Sequence, residues 1–314
     1  GNCNANFSSP TDGRNPRMQM FLCDESDPAH DGDFDNGVIT HEYGHGISTR
    51  QVGGPSNSSC LNNTQQGGEG WSDFFALVYT AEFGDQGSDA RGVGSYLVNL
   101  EPDGSIRPQQ YSTDPNINDY TYASLNGLSI PHGVGSVWAQ ALWEVYWVLV
   151  DEYGFEEDLM NFDINDPNEA GNKRALFYVN EGLKNTSCSP SHVNARDGVI
   201  AAVTNSFDGA DVCRVWEAFA GFGLGVDAVS GGSNSTSPTN GFALPSACTA
   251  PAITSCPAGT QTLYAAGFED DNDGWTAGNS TCSSGTFVRG TPTAQADGIT
   301  TQVAGAAVGS NAWF

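Results

Sequence analysis

The sequence predicts an α+β protein: a mainly helical lobe, preceded by a short β piece and followed by the start of a β module. Helical periodicity dominates residues 134–222, and two short strand-like segments precede it. From residue 256 onward the chain becomes rich in Thr, Gly, Ala and Val, which favours strands. Because 38% of the 314 residues are hydrophobic, the chain can bury a sizeable core.

The β piece is predicted from residues 4–7 and 18–22, which flank the turn-rich segment 10–13. If these two segments form an antiparallel hairpin, Cys3 and Cys23 lie opposite each other, within reach of a disulfide.

Helices are predicted where apolar residues recur at three- and four-residue spacing between capping residues and glycines. The predicted ranges are 38–51, 69–83, 134–149, 168–185, 191–206 and 211–222. Asp35 or Asn36 is expected to cap the first helix. Residues 88–131 are expected to be mostly irregular, and long loops of this kind are usually functional.

The C-terminal part has a different composition. Residues 230–240 have the composition of a flexible linker or a long surface loop. The segment from Cys256 resembles the opening of jelly-roll modules attached to secreted bacterial hydrolases. Since the chain stops within an apolar pattern, we interpret it as a processed piece of a larger secreted precursor.

Charge and cysteine content exclude several classes of function. The formal net charge of −26 would repel nucleic acid and anionic membrane surfaces. The apolar run 136–150 is shorter than the ~20 residues that a membrane span needs. Eight cysteines without a CxxC pair favour disulfides and therefore an extracellular location. We expect Cys188 to pair with Cys213 across the last two helices.

The segment His41-Glu42-Tyr43-Gly44-His45 is an HExxH motif inside a predicted helix. Residues four apart share a helix face, so both imidazoles reach one metal ion while Glu42 projects beside them. With only 5 His in the chain, chance is a poor explanation for the motif. Zinc suits this donor set because it accepts nitrogen and oxygen ligands and keeps a position for water.

The third ligand decides between classes of zinc enzyme. A metzincin would need Gly at position 48 and His or Asp at position 51, where this chain has Ser48 and Gln51. The next helix offers Glu69 and Asp73, again four apart. One of these carboxylates is expected to bind zinc, and the other to accept a hydrogen bond from a ligating histidine.

Seven segments, in the same order along the chain, resemble the fungalysin family of secreted zinc metalloendopeptidases. They are Arg17-Met18-Gln19-Met20, Asp31-Gly32-Asp33-Phe34-Asp35-Asn36-Gly37, His41-Glu42-Tyr43-Gly44-His45-Gly46, Glu69-Gly70-Trp71-Ser72-Asp73-Phe74, Tyr111-Ser112-Thr113, His132-Gly133-Val134-Gly135-Ser136-Val137-Trp138 and Asn194-Ala195-Arg196-Asp197. The resemblance covers residues 2–228. Gly44, where fungal members tend to have Thr, indicates a bacterial relative.

The resemblance implies a thermolysin-like fold and a single zinc ion per chain. On this pattern the zinc ligands are His41, His45 and Glu69, with Asp73 bonded to a ligating histidine. Glu42 is then the general base and His132 the transition-state histidine. Substrate binding falls to Arg107, Asn4 and Ala5.

The resemblance also implies a domain plan and a set of partners. Residues 1–229 would be the catalytic region with its N-terminal β lobe mostly absent, residues 230–255 a linker or surface loop, and residues 256–314 the start of a secreted β-sandwich accessory module. The substrates would be polypeptides, and an inhibitory propeptide would make the precursor a zymogen.

Three questions stay open at this point. A secreted zinc-stabilised scaffold or binding module without turnover is the rival to the endopeptidase. An aminopeptidase would need an acidic anchor for the substrate amine, and the sequence shows no recognisable one. The acidic residues between Asp24 and Asp35 are either a solvated loop or a calcium site.

Overall fold

The computed structural model describes residues 3–25, 27–100 and 104–249, and beyond them the backbone of four two-residue strands. The chain forms two compact units, Gly1–Thr249 and Ala250–Phe314. The four strands are Arg289–Gly290, Gln295–Ala296, Thr301–Gln302 and Ala312–Trp313. The rest of the predicted jelly-roll module, with Cys256 and Cys282, lies outside the described residues.

The N-terminal β piece consists of two small antiparallel ribbons. Strand β1 (Ala5–Ser8) pairs with β2 (Arg17–Met20), with Ala5 opposite Met20. Strand β3 (Leu22–Cys23) pairs with β4 (His30–Asp31). The predicted Cys3–Cys23 disulfide is confirmed.

Six α-helices form the main body of the first unit, at the positions that periodicity predicts. They are α1 (Asn36–Gln51), α2 (Gly68–Tyr79), α3 (His132–Tyr153), α4 (Gly171–Asn185), α5 (His192–Thr204) and α6 (Val212–Gly221). Helix α2 ends four residues before the predicted end, at Tyr79. Among the described helices, none has the length and apolar character that crossing a membrane requires.

Helices α1, α2 and α3 pack closely because small residues lie where they meet. A Cβ on Gly44 of α1 would lie 2.8 Å from the Ser72 Cα of α2. A Cβ on Gly70 of α2 would lie 2.3 Å from the Gly135 oxygen of α3. Only glycine permits these approaches, so the two contacts fix where Glu69, beside Gly70, stands relative to α1 and α3.

The core lies around α3, whose residues from Gly133 to Trp143 are all buried. Trp71 and Phe74 of α2 and Phe219 of α6 pack against it, and the Trp138 and Phe219 rings stack. The core therefore holds α2 and α3 rigidly, and both contribute residues to the cleft described below.

The described residues of segment 88–131 are largely irregular, as predicted, with a short 3-10 helix at Tyr122–Leu125 and a backbone bridge between Arg91 and Tyr111. The segment after α6 belongs to the same compact unit as far as Thr249. It is fastened by the buried Gln65, whose Nε2 donates to the carbonyls of Ser230, Gly232 and Ser235.

Two disulfides join distant parts of this unit, and the predicted Cys188–Cys213 pair is wrong. Cys188 bonds to Cys60, and Cys213 bonds to Cys248. The tertiary fold brings the end of α4 beside the loop that follows α1, which places Cys188 against Cys60. The returning segment 230–249 brings Cys248 to the start of α6, where Cys213 lies.

Candidate metal centre

Helix α1 presents three functional groups of the HExxH motif to one cleft. The helix begins after Asp35, whose side chain accepts a hydrogen bond from the Val38 amide, as predicted for the cap. His41 and Glu42 are buried, and the ring centroids of His41 and His45 are 4.8 Å apart. The four-residue spacing thus places both imidazoles on one face.

Helix α2 supplies the third group of this cluster. His41 Nε2 is 3.3 Å and His45 Nε2 is 3.6 Å from the Glu69 carboxylate oxygens. One ligand atom from each residue lies within 4.8 Å of the others, and no other such trio of His, Cys, Asp or Glu occurs in the described part of the chain. Two imidazoles and a carboxylate fit zinc. The acidic residues between Asp24 and Asp35 form no such trio in the described part of the chain, and calcium binding there stays a prediction.

Asp73, one helical turn after Glu69, contacts the other nitrogen of His41. Its Oδ1 is 2.7 Å from His41 Nδ1, and the residue is fully buried. Because Nδ1 donates this hydrogen bond, Nε2 is the nitrogen that faces the cluster, and its lone pair becomes available to a metal ion once that nitrogen releases its proton.

The charges and hydrogen bonds within the cluster set the protonation state of each of its residues. Burial lowers the pKa of His41, but hydrogen bonds to Asp73 and Glu69 outweigh it and raise the pKa to about 9. Burial raises the pKa of Glu69, but the hydrogen bond and charge of His41 outweigh it and lower the pKa to about 2. Burial and the His41 charge lower the pKa of His45 to about 4. Glu69 is therefore ionised and His45 neutral, the forms that bind metal, whereas His41 has to release its Nε2 proton when a metal ion binds.

Glu42 lies beside the cluster with an unusual environment for a carboxylate. Its Oε2 is buried and has no hydrogen-bond partner among the described residues. Burial raises the pKa of this carboxyl group. A buried, unpaired carboxylate oxygen next to a candidate metal site is suited to accept a proton from a reactant.

His132 is the first residue of α3 and lies beside the cluster. Its Nε2 is 3.6 Å from Glu69 Oε1, and its side chain is 59% exposed. The imidazole therefore reaches into the cleft from solvent. No acidic residue precedes it in 126–131, and the acidic group near it is Glu69 itself.

A cleft of about 350 Å³ brings together the groups predicted from the sequence. It is lined by Asn4, Ala5, His41, Glu42, His45, Glu69, Arg107 and His132. Asp73 lies behind this surface, fully buried.

Arg107 lines the cleft but is largely buried behind it. It is 8% exposed, and its Nε and Nη2 donate to the two Asp73 oxygens at 2.6 and 2.9 Å. Its Nη2 is also 3.3 Å from Glu69 Oε2. Burial lowers the pKa of Arg107, but the negative charge of Asp73 outweighs this and raises it. The guanidinium thus touches the cluster from behind while it lines the cleft.

Sequence reasoning missed two features of the site. The first is an apolar wall of the cleft, formed by Val38, Val93, Leu97, Val98 and Ile106. The second is Tyr111, whose hydroxyl donates to Asp73 Oδ2 at 2.5 Å. The four-residue interval from Arg107 to Tyr111 is a weak signal, because this segment has no helical periodicity that would make the spacing meaningful.

Comparison with known proteins identifies the family of this chain. The model of the family "Fungalysin metallopeptidase (M36)" matches residues 1–228, so this chain belongs to the fungalysin metallopeptidase family. Extracellular metalloproteinase 2 of Trichophyton rubrum is 38% identical over 250 residues, which are 79% of this chain and 39% of that protein. Extracellular metalloproteinase MEP of Fusarium vanettenii is 42% identical over 249 residues, 78% of this chain and 38% of that protein.

Two facts about these relatives bear on the expectations above. The chain spans about two fifths of the length of the curated relatives it matches, 39% of the Trichophyton rubrum protein. The relatives named here are fungal, so the bacterial origin expected from Gly44 gains no support from them. The structural role of Gly44 is the close approach of α1 to α2.

Proposed function

We propose that this chain contains the catalytic region of a secreted, zinc-dependent endopeptidase. One observation carries the proposal: His41, His45 and Glu69 converge in a cleft where Glu42 Oε2 is buried and without a partner in the described structure. Membership of a metallopeptidase family supports the activity. The names of the relatives, extracellular metalloproteinases, support secretion.

The metal would be held by His41 Nε2, His45 Nε2 and the Glu69 carboxylate, one zinc ion per chain. When bound, zinc acts as a Lewis acid that lowers the pKa of water and polarises a carbonyl group. Asp73 keeps His41 oriented through the Nδ1 hydrogen bond.

Glu42 would act as the general base and His132 as the donor to the transition state. The Glu42 carboxylate takes a proton from the attacking water and later delivers it to the leaving amine. Its raised pKa suits both steps because the proton must be held and then released. His132, which lines the same cleft as Glu42, would donate a hydrogen bond to the oxygen of the reacting carbonyl as charge develops there.

The substrates would be polypeptides bound in an extended conformation. Asn4 and Ala5 lie at the start of β1 along the cleft, where backbone groups can pair with a substrate strand. Arg107 would bind a substrate carbonyl at the cleft surface. The apolar wall that includes Val93, Leu97 and Ile106 favours substrates with an apolar side chain at that position.

The domain plan completes the proposal. Residues 1–229 would be the catalytic region and residues 256–314 the start of an accessory β module, with 230–255 between them. The precursor would carry an inhibitory propeptide that keeps the enzyme a zymogen.

The first test measures metal content and casein hydrolysis on one purified sample, before and after treatment with a chelator and after zinc is added back. We expect one zinc per chain, loss of hydrolysis on chelation and recovery with zinc. Zinc binding without hydrolysis under any of these conditions would favour the secreted scaffold over the peptidase.

A further inference from the structure

Tyr111 is a fully buried residue outside the cleft surface that reaches the metal centre through Asp73. Its hydroxyl donates to Asp73 Oδ2 at 2.5 Å. Burial and the negative charge of Asp73 raise the pKa of Tyr111 well above its ordinary value, so the hydroxyl keeps its proton. The phenol is therefore a permanent donor to this carboxylate.

The backbone of Tyr111 is held from two sides. Its amide and carbonyl bond to the carbonyl and amide of Arg91, at 2.8 and 2.9 Å. The Arg91 guanidinium in turn donates to the Thr80 carbonyl at the end of α2, at 2.8 Å. The next residue, Ser112, donates its amide to the Gln140 side chain of α3 and accepts from it in return. Tyr111 is thus mounted between the two helices that contribute Glu69 and His132.

The Tyr111 hydroxyl completes the set of hydrogen bonds that the Asp73 carboxylate accepts. Oδ1 accepts from His41 Nδ1 at 2.7 Å and from Arg107 Nη2 at 2.9 Å. Oδ2 accepts from Arg107 Nε at 2.6 Å and from Tyr111. A carboxylate offers about four lone-pair sites, so all of them are used.

Without the phenol, Arg107 alone would hold Oδ2. That guanidinium also contacts Glu69 Oε2 at 3.3 Å, so it is shared between Asp73 and a proposed metal ligand. A rotation of the Asp73 carboxylate would then move the guanidinium and disturb both His41 and Glu69. Asp73 has three donors in the described structure: His41, which is itself a proposed ligand, Arg107, which also contacts Glu69, and Tyr111. Of these, Tyr111 alone makes no described hydrogen bond to a proposed metal ligand.

We propose that Tyr111 is a positioning residue of the metal centre, which orients His41 by locking the Asp73 carboxylate in place. The proposal rests on the proposed zinc site. It assigns to Tyr111 no contact with substrate or with the reacting atoms.

The test is the zinc affinity of the Tyr111→Phe variant of the full chain, measured by competition with a chromophoric chelator. Phenylalanine keeps the buried ring and removes only the donor. We expect zinc to bind about 10-fold to 100-fold more weakly, as for other groups that orient a ligating histidine. At saturating zinc, kcat for a peptide substrate should fall more than KM changes, because Tyr111 does not line the cleft.

Tyr146→Phe is the matched control. Tyr146 is equally buried in the same core, and its hydroxyl has no hydrogen-bond partner in the described structure. The zinc affinity of Tyr146→Phe should stay within about 2-fold of that of the unsubstituted chain, because Tyr146 orients no metal ligand. In an Asp73→Asn background, Tyr111→Phe should have little additional effect on zinc affinity, because both changes act through one carboxylate.

The outcomes separate the two proposals. A folded Tyr111→Phe chain with unchanged zinc affinity would overturn the role of Tyr111 and leave the zinc site standing. An equal loss in Tyr146→Phe, or an undiminished effect of Tyr111→Phe in the Asp73→Asn background, would also overturn it, since the loss would not pass through Asp73. If the unsubstituted chain binds no zinc, the proposed function itself fails.

Discussion

At the scale of single residues, the proposed mechanism depends most on Glu42. Its carboxylate oxygen Oε2 is buried beside His41 and His45 without a hydrogen-bond partner in the described structure. Such a group costs folding free energy, a cost that the proposed role of Glu42 as general base would explain.

Glu42→Gln is therefore expected to keep zinc and abolish hydrolysis. Glutamine has the same shape but cannot accept the proton of the attacking water. The measurement is zinc content by atomic absorption together with the rate of peptide hydrolysis. Turnover close to that of the unsubstituted chain would refute the assignment of Glu42 as general base.

His192 is, like Glu42, a buried titratable residue, but it does not line the cleft. It begins α5, is 1% exposed and packs against the rings of Trp138 and Tyr122. Neither ring nitrogen has a hydrogen-bond partner in the described structure. Burial lowers the pKa of His192 from 6.5 to about 3.

We expect His192 to make the fold sensitive to acid. Between pH 6.5 and 3 the unfolded chain binds a proton that the folded chain does not, so stability present above pH 6.5 is lost as the pH falls through this window. The total effect is on the order of 5 kcal/mol or less, from about 1.4 kcal/mol per pKa unit.

The measurement is the free energy of unfolding of the chain and of His192→Phe in urea, at pH 7.5 and at pH 5. The phenylalanine variant should lose less stability over this interval. Because zinc release by acid affects both proteins equally, the difference between them isolates His192. Equal losses in the two proteins would contradict the expectation.

At the scale of elements, Asp35 connects helix α1 to the irregular segment 88–131. Its Oδ1 accepts from the Val38 amide at 3.0 Å, and its Oδ2 accepts from the Leu97 amide at 3.1 Å. One buried carboxylate thus caps the helix that carries the HExxH motif and holds the apolar wall of the cleft against it.

Asp35→Ala should therefore affect both stability and substrate binding. The lost cap costs about 1 kcal/mol, and the freed wall should raise KM for substrates with an apolar side chain. Ser191→Ala is the matched control, since Ser191 caps α5 by accepting from the Asn194 amide. The control should lose similar stability in urea and keep its KM, and a raised KM in both variants would argue against a specific role of Asp35.

At the scale of the whole described unit, two disulfides join segments far apart in sequence. Cys60–Cys188 closes an interval of 128 residues, and Cys213–Cys248 an interval of 35. In the chain-entropy account, the longer loop restricts the unfolded chain more.

Replacing both cysteines of a pair by serine should therefore cost more stability for Cys60–Cys188 than for Cys213–Cys248. The expected losses are about 5 and about 4 kcal/mol. Both are measured by urea unfolding of the zinc-loaded proteins. The reverse order would show that native contacts of the 230–249 segment matter more than chain entropy.

Much of the site was predictable because its chemistry lies in local patterns. The helix over His41 and His45 follows from capping and spacing, and its cap at Asp35 is confirmed. From the residues alone, Glu69 and Asp73 were interchangeable as the third ligand. The structure separates them, because Glu69 lies near Nε2 of both histidines whereas Asp73 contacts Nδ1 of His41.

The features that the sequence did not predict depend on contacts between segments that are distant along the chain. The pairing of Cys188 with Cys60 follows from how α4 ends beside the loop after α1. Tyr111 and every residue of the apolar wall except Val38 come from a segment with no regular period, so nothing in their spacing indicates which way the side chains face.

The resemblance of seven segments predicts the family of the protein. The helices and the donor set of the candidate metal centre are predicted from the residues alone. These features rest on short-range rules, since residues four apart share a helix face whatever surrounds the helix. The three-dimensional fold is needed to place Glu69 rather than Asp73 near Nε2 of both histidines, to bury Arg107 and to bring the Tyr111 hydroxyl to Asp73. These are long-range contacts, set by core packing and by the close approach of helices at Gly44, Gly70 and Gly135.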